Sequence, residues 1–204
     1  MRILIAKAAV RRVLRLGHWV LGVGAVLMLG YSGLLWADGW YFQKAERRHF
    51  EQLLSERALT AALGRAISLA LPTGGVMGRI EIRRLGLSVM VAEGVDQGTL
   101  RRAAGHIPGT AQPGEAGNVA ISAHRDTFFR PLRNIRRNDL VTLTTLAGNY
   151  DYRVVATKVT EPSDVSVLAP NGKEILTLIT CYPFYFVGSA PKRFVVQGER
   201  ITLH

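Results

Sequence analysis

Cys181 and Arg193 stand at the two ends of a turn between apolar runs, and together they suggest thiol chemistry. Cys181 is the only cysteine in the chain, and it follows an apolar, β-prone run. Arg193 opens the next apolar run after a segment bounded by Pro183 and Pro191. Because the thiolate is the nucleophile, such a site needs a base and a cation that favours negative charge. Neighbouring strands would bring the thiol and the guanidinium to one cleft.

A structural role for Cys181 remains the alternative. Most free cysteines behave as small buried hydrophobes, and composition alone does not separate the two roles. A single cysteine cannot form an intramolecular disulfide, so a free thiol outside the cytoplasm needs an explanation. A zinc or calcium site is disfavoured, because no local His, Asp or Glu cluster of suitable spacing accompanies the cysteine. We expect no metal and no cofactor.

Position in the chain separates the five histidines as candidates for the base. His18 lies beside the apolar N-terminal segment, His49 lies in the stretch that follows it, and His204 is at the chain end. His106 falls in a glycine-rich turn, where a surface or packing role is more common. His124 directly follows an apolar run, and loop residues held at strand ends are favoured positions for chemistry. We therefore predict His124 as the base.

The N-terminal third predicts a membrane anchor. Residues 1–17 carry five basic and no acidic side chains, and they precede Trp19–Ala37, which has no formal charge. A helix of that length spans the ~30 Å hydrocarbon core of a bilayer. A cleaved signal peptide is the alternative, but its apolar region is normally shorter and ends in a small-residue site. We predict an uncleaved anchor over residues 18–37, with the basic tail in the cytoplasm and the remainder outside.

The charge distribution argues against nucleic-acid binding. The net charge is +11 over 204 residues, and +5 of it belongs to residues 1–17. In the remainder, the arginines are scattered among acidic residues and form no run with interleaved aromatic residues.

Residues 38–75 predict an amphipathic helical connector. Apolar side chains recur there at intervals of three and four residues: Phe50, Leu53, Leu54, Ala58, Leu59, Ala62 and Leu63. The sequence leaves open whether this stripe lies on the C-terminal domain, on the membrane surface or on another copy. Pro72 to Gly75 then mark a domain boundary.

Residues 76–204 predict a mainly β domain. Short apolar runs separated by turn residues indicate strands at 79–83, 87–92, 118–123, 140–146, 151–160, 175–180 and 194–203. A helix is predicted at 96–104, and residues 107–117 and 161–173 are predicted as loops. Seven or eight short strands without long helical crossovers favour an all-β barrel or sandwich.

Three segments of this domain together resemble the sortases, cysteine transpeptidases of bacterial cell surfaces. Residues 177–181, Thr-Leu-Ile-Thr-Cys, are similar to the sortase T-L-x-T-C signature. Residues 122–129 resemble the segment that holds the family histidine, and residues 192–196 the one that holds its arginine. The resemblance covers roughly residues 76–204. The short loop before the cysteine strand resembles the class D group more than class B.

The resemblance implies an eight-stranded sortase-type β-barrel with short helices and a two-step acyl transfer. Cys181 would attack the Thr-Gly or Thr-Ala type bond of a C-terminal L-P-x-T-(G/A) sorting signal and form a thioacyl enzyme. His124 would protonate the leaving amine and then deprotonate an incoming amine, and Arg193 would stabilise the oxyanion or hold the signal. Transfer to water, or a non-catalytic anchored domain that binds peptides, are the alternatives.

Residues beside these three admit two interpretations. Ser122 and Thr180 either contact the peptide or satisfy local backbone groups. Asp126 either orients His124 or caps a short helix that starts near Thr127, and we favour the cap. The segment from Tyr182 to Pro191 is the loop expected to select the substrate, with Tyr182 a candidate peptide contact.

The expected setting follows from the anchor and the resemblance. The protein would lie in the cytoplasmic membrane as a single-pass protein, with its catalytic domain on the extracytoplasmic face. Its partners would be membrane lipid, exported proteins that end in a sorting signal and an amine-bearing envelope or protein acceptor.

Overall fold

The computed structural model of the protein describes residues 7–62, 75–170, 172–186 and 188–201. The chain divides into two units, residues 1–41 and residues 42–204. Most of the predicted domain boundary lies outside the described residues. Arg2, Leu63 and His204 also lie outside them.

The first element is one continuous α-helix, α1, over Lys7–Ala62. It contains the uncharged stretch Trp19–Ala37, whose side chains are almost all exposed. This helix is long and apolar enough to cross a membrane.

Eight strands form the second unit, as the resemblance implied. They are β1 Val76–Ile82, β2 Leu87–Glu93, β3 Ala104–His106, β4 Gly117–Ser122, β5 Leu140–Thr145, β6 Asn149–Thr160, β7 Glu174–Tyr182 and β8 Lys192–Arg200. A short helix α2, Gln97–Arg102, and 3-10 turns at Arg83–Leu85, Arg130–Asn134 and Val165–Leu168 connect them.

The strands close into a barrel in the order β1-β2-β3-β4-β7-β8-β6-β5, and β5 pairs with β1. The pairs β2/β3 and β4/β7 are parallel, and the other pairs are antiparallel. Closure leaves no open sheet edge, and it makes β7 the strand between β4 and β8.

Alternate residues of most strands point into the barrel and fill it. The largest buried side chains there are Ile80, Ile82, Val91, Ile121, Leu143, Tyr152, Leu176 and Leu178, with Phe129 and Leu132 from the loop after β4. Burial raises the pKa of Tyr152 to about 12, because the phenolate would lose its hydration.

The predicted elements differ from the structure mainly at their ends. The helix predicted at 96–104 is shorter, because the Asp96 side chain caps it and Ala104 already belongs to β3. β7 continues through Tyr182, and β8 begins at Lys192. Both strands are longer at this end because they pair with each other up to Tyr182 and Lys192.

The C-terminal part of α1 lies on the barrel, which answers the question that the sequence left open for the connector. Phe50 is only 2% exposed and clusters with Met90 and Leu146. Arg47 donates to the Ser88 hydroxyl at 2.8 Å. Leu53, Leu54 and Val76 pack against the same cluster. The stripe does not continue, because Leu59 is 65% exposed.

Phe50→Ala is expected to destabilise the barrel by about 3–5 kcal/mol, because it removes a buried ring and leaves a cavity against β2. Leu59→Ala on the same helix is the matched control and should change stability by less than about 0.5 kcal/mol. Denaturant unfolding of the full chain in detergent measures both effects, with the circular-dichroism signal of the β-strands as the readout. Equal effects would show that α1 does not pack on the barrel as described.

A second stabilising contact joins the loop before β5 to the 3-10 turn after β1. The Asp139 carboxylate is buried and accepts from Arg84 Nη2 at 2.6 Å and from the Arg136 backbone N–H at 2.7 Å. The hydrogen bond from Arg84 lowers the pKa of Asp139 below its ordinary value. This stabilisation is therefore present above the unfolded-state pKa of about 4 and is lost as pH falls through the folded-state value.

Asp139→Asn should cost about 1–3 kcal/mol at neutral pH, because three N–H donors, two from Arg84 and one from the Arg136 backbone, then lose a charged acceptor. The difference between wild type and variant should shrink as the pH falls below 4. Thermal unfolding at a series of pH values measures it, with the exposed Glu56→Gln as the control. A difference that stayed constant down to pH 2 would contradict the charged role of Asp139.

Candidate active site

Strand β7 carries Cys181 near its C-terminal end, between the two strands that position the other candidates. β4 pairs with β7 on one side, and β8 pairs with it on the other. Cys181 is half-buried. Its position results from the sequence of β7, whose preceding residues Leu176 to Leu178 are fully packed in the barrel.

Cys181 and Arg193 are directly opposite each other in the antiparallel pair of β7 and β8. Opposite residues of such a pair project to the same face, with Cβ atoms about 4.5–5.5 Å apart. The structure therefore confirms the prediction that Cys181 and Arg193 lie on neighbouring strands.

His124 lines the cleft with Cys181 from the other side, as the register of β4 indicates. Ser122 is paired with Ile179, and the Ala123 N–H donates to the Ile179 carbonyl at 3.2 Å. Continued by two residues, this parallel register brings His124 level with Cys181. The imidazole is exposed, so an incoming molecule can reach it.

One open cleft of about 240 Å³ receives all three side chains. Its lining consists of His124, Arg125, Asp126, Cys181, Gly188, Ser189, Ala190 and Arg193. The thiol therefore lies between an imidazole and a guanidinium, in a cleft whose wall includes the loop from β7 to β8. A base, a nucleophile and a cation around one space are the parts needed for nucleophilic acyl transfer.

The guanidinium of Arg193 has only weak contacts of its own. Nη1 donates to the carbonyls of Ala190 at 3.4 Å and Lys192 at 3.1 Å. Within the described residues it forms no salt bridge to a carboxylate, so most of its N–H groups remain available for an oxygen in the cleft.

The expected cap by Asp126 is wrong. The 3-10 turn in this loop starts at Arg130, its N-cap position is Phe129, and no side chain caps it. Asp126 is exposed and accepts from Arg125 Nε at 3.3 Å. The Asp126 carboxylate accepts from Arg125 instead of capping a helix, because the guanidinium of Arg125 is buried and needs hydrogen-bond acceptors nearby.

The candidate peptide contacts differ in accessibility. Thr180 is buried and donates to the Ala123 carbonyl at 2.7 Å, so its hydroxyl satisfies a backbone group beside His124. Ser122 is half-buried at the end of β4. Tyr182 packs against two rings, edge-to-face with Phe184 and stacked with Phe194. None of the three candidates lines the cleft.

His106 lies apart from the cleft, at the end of β3. It is 1% exposed, and its Nδ1 is 2.8 Å from the Glu93 carboxylate while its Nε2 is 3.1 Å from the Ala111 carbonyl. The predicted surface role is therefore wrong, and the predicted packing role is confirmed: the ring holds the loop between β3 and β4.

Sequence reasoning missed Arg125 and three residues of the cleft wall, Gly188, Ser189 and Ala190. The loop that holds the wall residues was singled out as a unit, but its individual members carry no chemical signal. Arg125 looked like one more solvated arginine. An arginine directly after a strand-end histidine was the only available hint.

Comparison with known proteins assigns the chain to a class. The sortase domain matches residues 80–201, which is more than half of the chain and includes His124, Cys181 and Arg193. The chain belongs to the sortase family.

Individual relatives agree with this assignment. Sortase D of Bacillus subtilis is 37% identical over 64% of this chain and 66% of its own length. Sortase A of Listeria monocytogenes is 30% identical over 61% of this chain and 56% of its own length. The chain thus spans just under two thirds of one relative and less of the other.

The barrel also matches solved structures. A sortase D5 transpeptidase of Clostridium perfringens superposes with a TM-score of 0.65 at 26% identity, covering 79% of this chain and 99% of that one. Sortase A of Corynebacterium diphtheriae superposes with a TM-score of 0.60 at 26% identity, over 82% and 86% of the two chains.

Proposed function

We propose that this protein is a membrane-anchored cysteine transpeptidase that cleaves an L-P-x-T-(G/A) type C-terminal sorting signal and transfers the acyl group to an amine. The single observation that carries this proposal is the placement of Cys181 on β7 between His124, beyond β4, and Arg193 on β8, all lining one cleft.

The first step forms a thioester. The Cys181 thiolate attacks the carbonyl carbon of the signal's threonine, and the oxygen that becomes negative receives hydrogen bonds from Arg193. When the tetrahedral intermediate collapses, the C–N bond breaks and His124 gives a proton to the leaving amine. The acyl group then remains on Sγ, and the C-terminal tail leaves.

The second step returns the acyl group to nitrogen. The acceptor amine attacks the thioester carbonyl, His124 takes the amine proton, and the C–S bond breaks to restore Cys181. Because the thioester is more reactive than an amide, the bond energy of the cleaved amide is kept for the new one. No cofactor is required by this sequence of steps.

The long N-terminal helix supports the membrane setting. A helix able to span a bilayer lies near the N-terminus, and the basic residues that precede its uncharged stretch Trp19–Ala37 favour retention of the N-terminus in the cytoplasm. A substrate tethered by its own apolar tail would then share one plane with the barrel, which raises the effective concentration of both. We propose residues 18–37 as the anchor, 38–75 as the connector and 76–204 as the catalytic domain.

The subclass proposal is class D-like. It is supported by the 37% identity to sortase D of Bacillus subtilis and by the short connection between β6 and β7, whose described residues hold one 3-10 turn, Val165–Leu168, as their regular structure. We further propose the loop between β7 and β8 as the segment that selects the signal, since three of its residues line the cleft.

The test is a reaction of the full chain in detergent with a panel of L-P-x-T-G and L-P-x-T-A peptides and an added amine. We expect mass spectrometry to find the amide of the acyl fragment with that amine. Cleavage that yields only the acid would favour a thiol hydrolase. Peptide binding without cleavage would favour a non-catalytic peptide-binding domain.

A further inference from the structure

Arg125 is the residue directly after His124, and its side chain is almost completely buried at 6% exposure. A charged group in such a place requires several partners, because its lost hydration must be replaced. Apart from the adjacent Asp126, the hydrogen-bond partners of Arg125 all come from one other segment of the chain.

Three backbone carbonyls of the loop between β7 and β8 accept hydrogen bonds from this guanidinium. Nη1 donates to the Pro183 carbonyl at 2.8 Å, and Nη2 donates to the carbonyls of Phe186 and of Gly188, the latter at 3.2 Å. The Phe186 ring centre lies 6.0 Å from the guanidinium carbon. The planar fork of arginine suits this task, since it presents five donors in fixed directions.

The clamped loop is a wall of the cleft. It follows Cys181 by two residues, and its members Gly188, Ser189 and Ala190 line the cleft with the thiol. Arg125 therefore joins the segment that carries His124 to the segment that leaves Cys181. Any shift of the loop would move the wall relative to the imidazole and the thiol.

Arg125 is badly placed to act on the substrate itself. Its Nε donates to Asp126, Nη1 donates to one loop carbonyl and Nη2 donates to two, so four of its five N–H donors are already engaged. Arg193 differs, because among the described residues only its Nη1 has hydrogen-bond partners, two carbonyls at 3.1 and 3.4 Å.

We propose that Arg125 is a positioning residue that holds the loop between β7 and β8 in the shape that receives the substrate, and so couples the histidine and cysteine walls of the cleft. This proposal rests on the proposed transpeptidase function for its kinetic part. Its structural part stands on the three hydrogen bonds to the loop alone.

The test combines hydrogen exchange with kinetics for three variants of the full chain in detergent. In Arg125→Met, amide exchange in peptides covering residues 183–188 should rise, and kcat/KM for a sorting peptide should fall by about 10- to 100-fold. Arg125→Lys keeps the charge but loses the fork, so both effects should be intermediate.

The matched control is Arg133→Met. Arg133 contacts the same loop from outside, donating to the exposed Tyr185 hydroxyl at 3.1 Å, and its loss should leave exchange and kcat/KM near wild type.

Wild-type exchange in Arg125→Met would overturn the proposal, and so would raised exchange with unchanged kcat/KM. If Arg125→Met fails to fold, Arg125→Lys decides by the same two criteria. If the wild type turns over no peptide, the proposed function fails, while the exchange data still decide whether Arg125 clamps the loop.

Discussion

Replacing Cys181 with alanine should abolish thioester formation and lower peptide cleavage by at least about 10³-fold, because Cys181 is the only cysteine in the chain and the thioester forms on its sulfur. His124 and Arg193 would still line the cleft, but without a nucleophile they can only assist direct attack by water. Cleavage and transfer should disappear together, since both pass through the same sulfur. Chromatography of the products from a sorting peptide and an added amine measures both.

The alanine variant should keep its fold and its peptide affinity. Cys181 is half-buried at the end of a strand whose core residues precede it, so removal of its sulfur costs little packing. A binding measurement with an uncleaved peptide therefore serves as the control. Full cleavage by the variant would show that the nucleophile has been misassigned.

Replacing Arg193 with alanine should lower kcat/KM by about 10²–10³-fold, the usual cost of losing a donor to a developing oxyanion. The guanidinium is opposite Cys181 across β7 and β8, and most of its donors are unengaged within the described residues. Arg193→Lys should recover part of the loss, because it restores the charge without the fork. Steady-state kinetics with a quenched fluorescent peptide measures these effects.

Lys192→Ala is the control for this pair of variants. Lys192 is the neighbouring cation on β8, but it is exposed and pairs with Glu161 at 3.7 Å, away from the cleft. It should retain kcat/KM within about threefold. An equal loss in Lys192→Ala and Arg193→Ala would indicate a general effect of positive charge and contradict the specific role of Arg193.

Much of the barrel could be predicted from short apolar runs, because strands such as β4 and β7 bury apolar side chains that form recognisable runs in the sequence. The short strand β3 could not. Its three residues, Ala104–His106, carry no β pattern, and they are extended because β2 and β4 pair with them on both sides. The sequence predicted a helix that ends at Ala104 and a glycine-rich turn at His106 in its place.

The site was predictable to the extent that residue type reveals chemistry. A lone cysteine, a histidine after a strand and an arginine before one could be selected from the sequence. Arg125 could not, because its role depends on burial and on backbone carbonyls some sixty residues away in the chain. For the same reason the sequence predicted Asp126 as a helix cap, whereas in the structure its carboxylate accepts a hydrogen bond from Arg125.

The connector shows a third kind of limit. Its apolar spacing predicted an amphipathic helix correctly, yet spacing cannot say what covers the apolar side. The structure shows that Phe50 packs on Met90 and Leu146, whereas Leu59 on the same helix remains exposed. Only tertiary contact distinguishes two such residues.

The most direct test of the central claim is the intact mass of the protein after brief reaction with an L-P-x-T-G peptide. We expect an added mass equal to the acyl fragment, located on Cys181 by peptide mapping, and its loss when an amine is added. Cleavage of the peptide without any adduct on Cys181, or an adduct that the amine does not release, would contradict the proposed two-step acyl transfer.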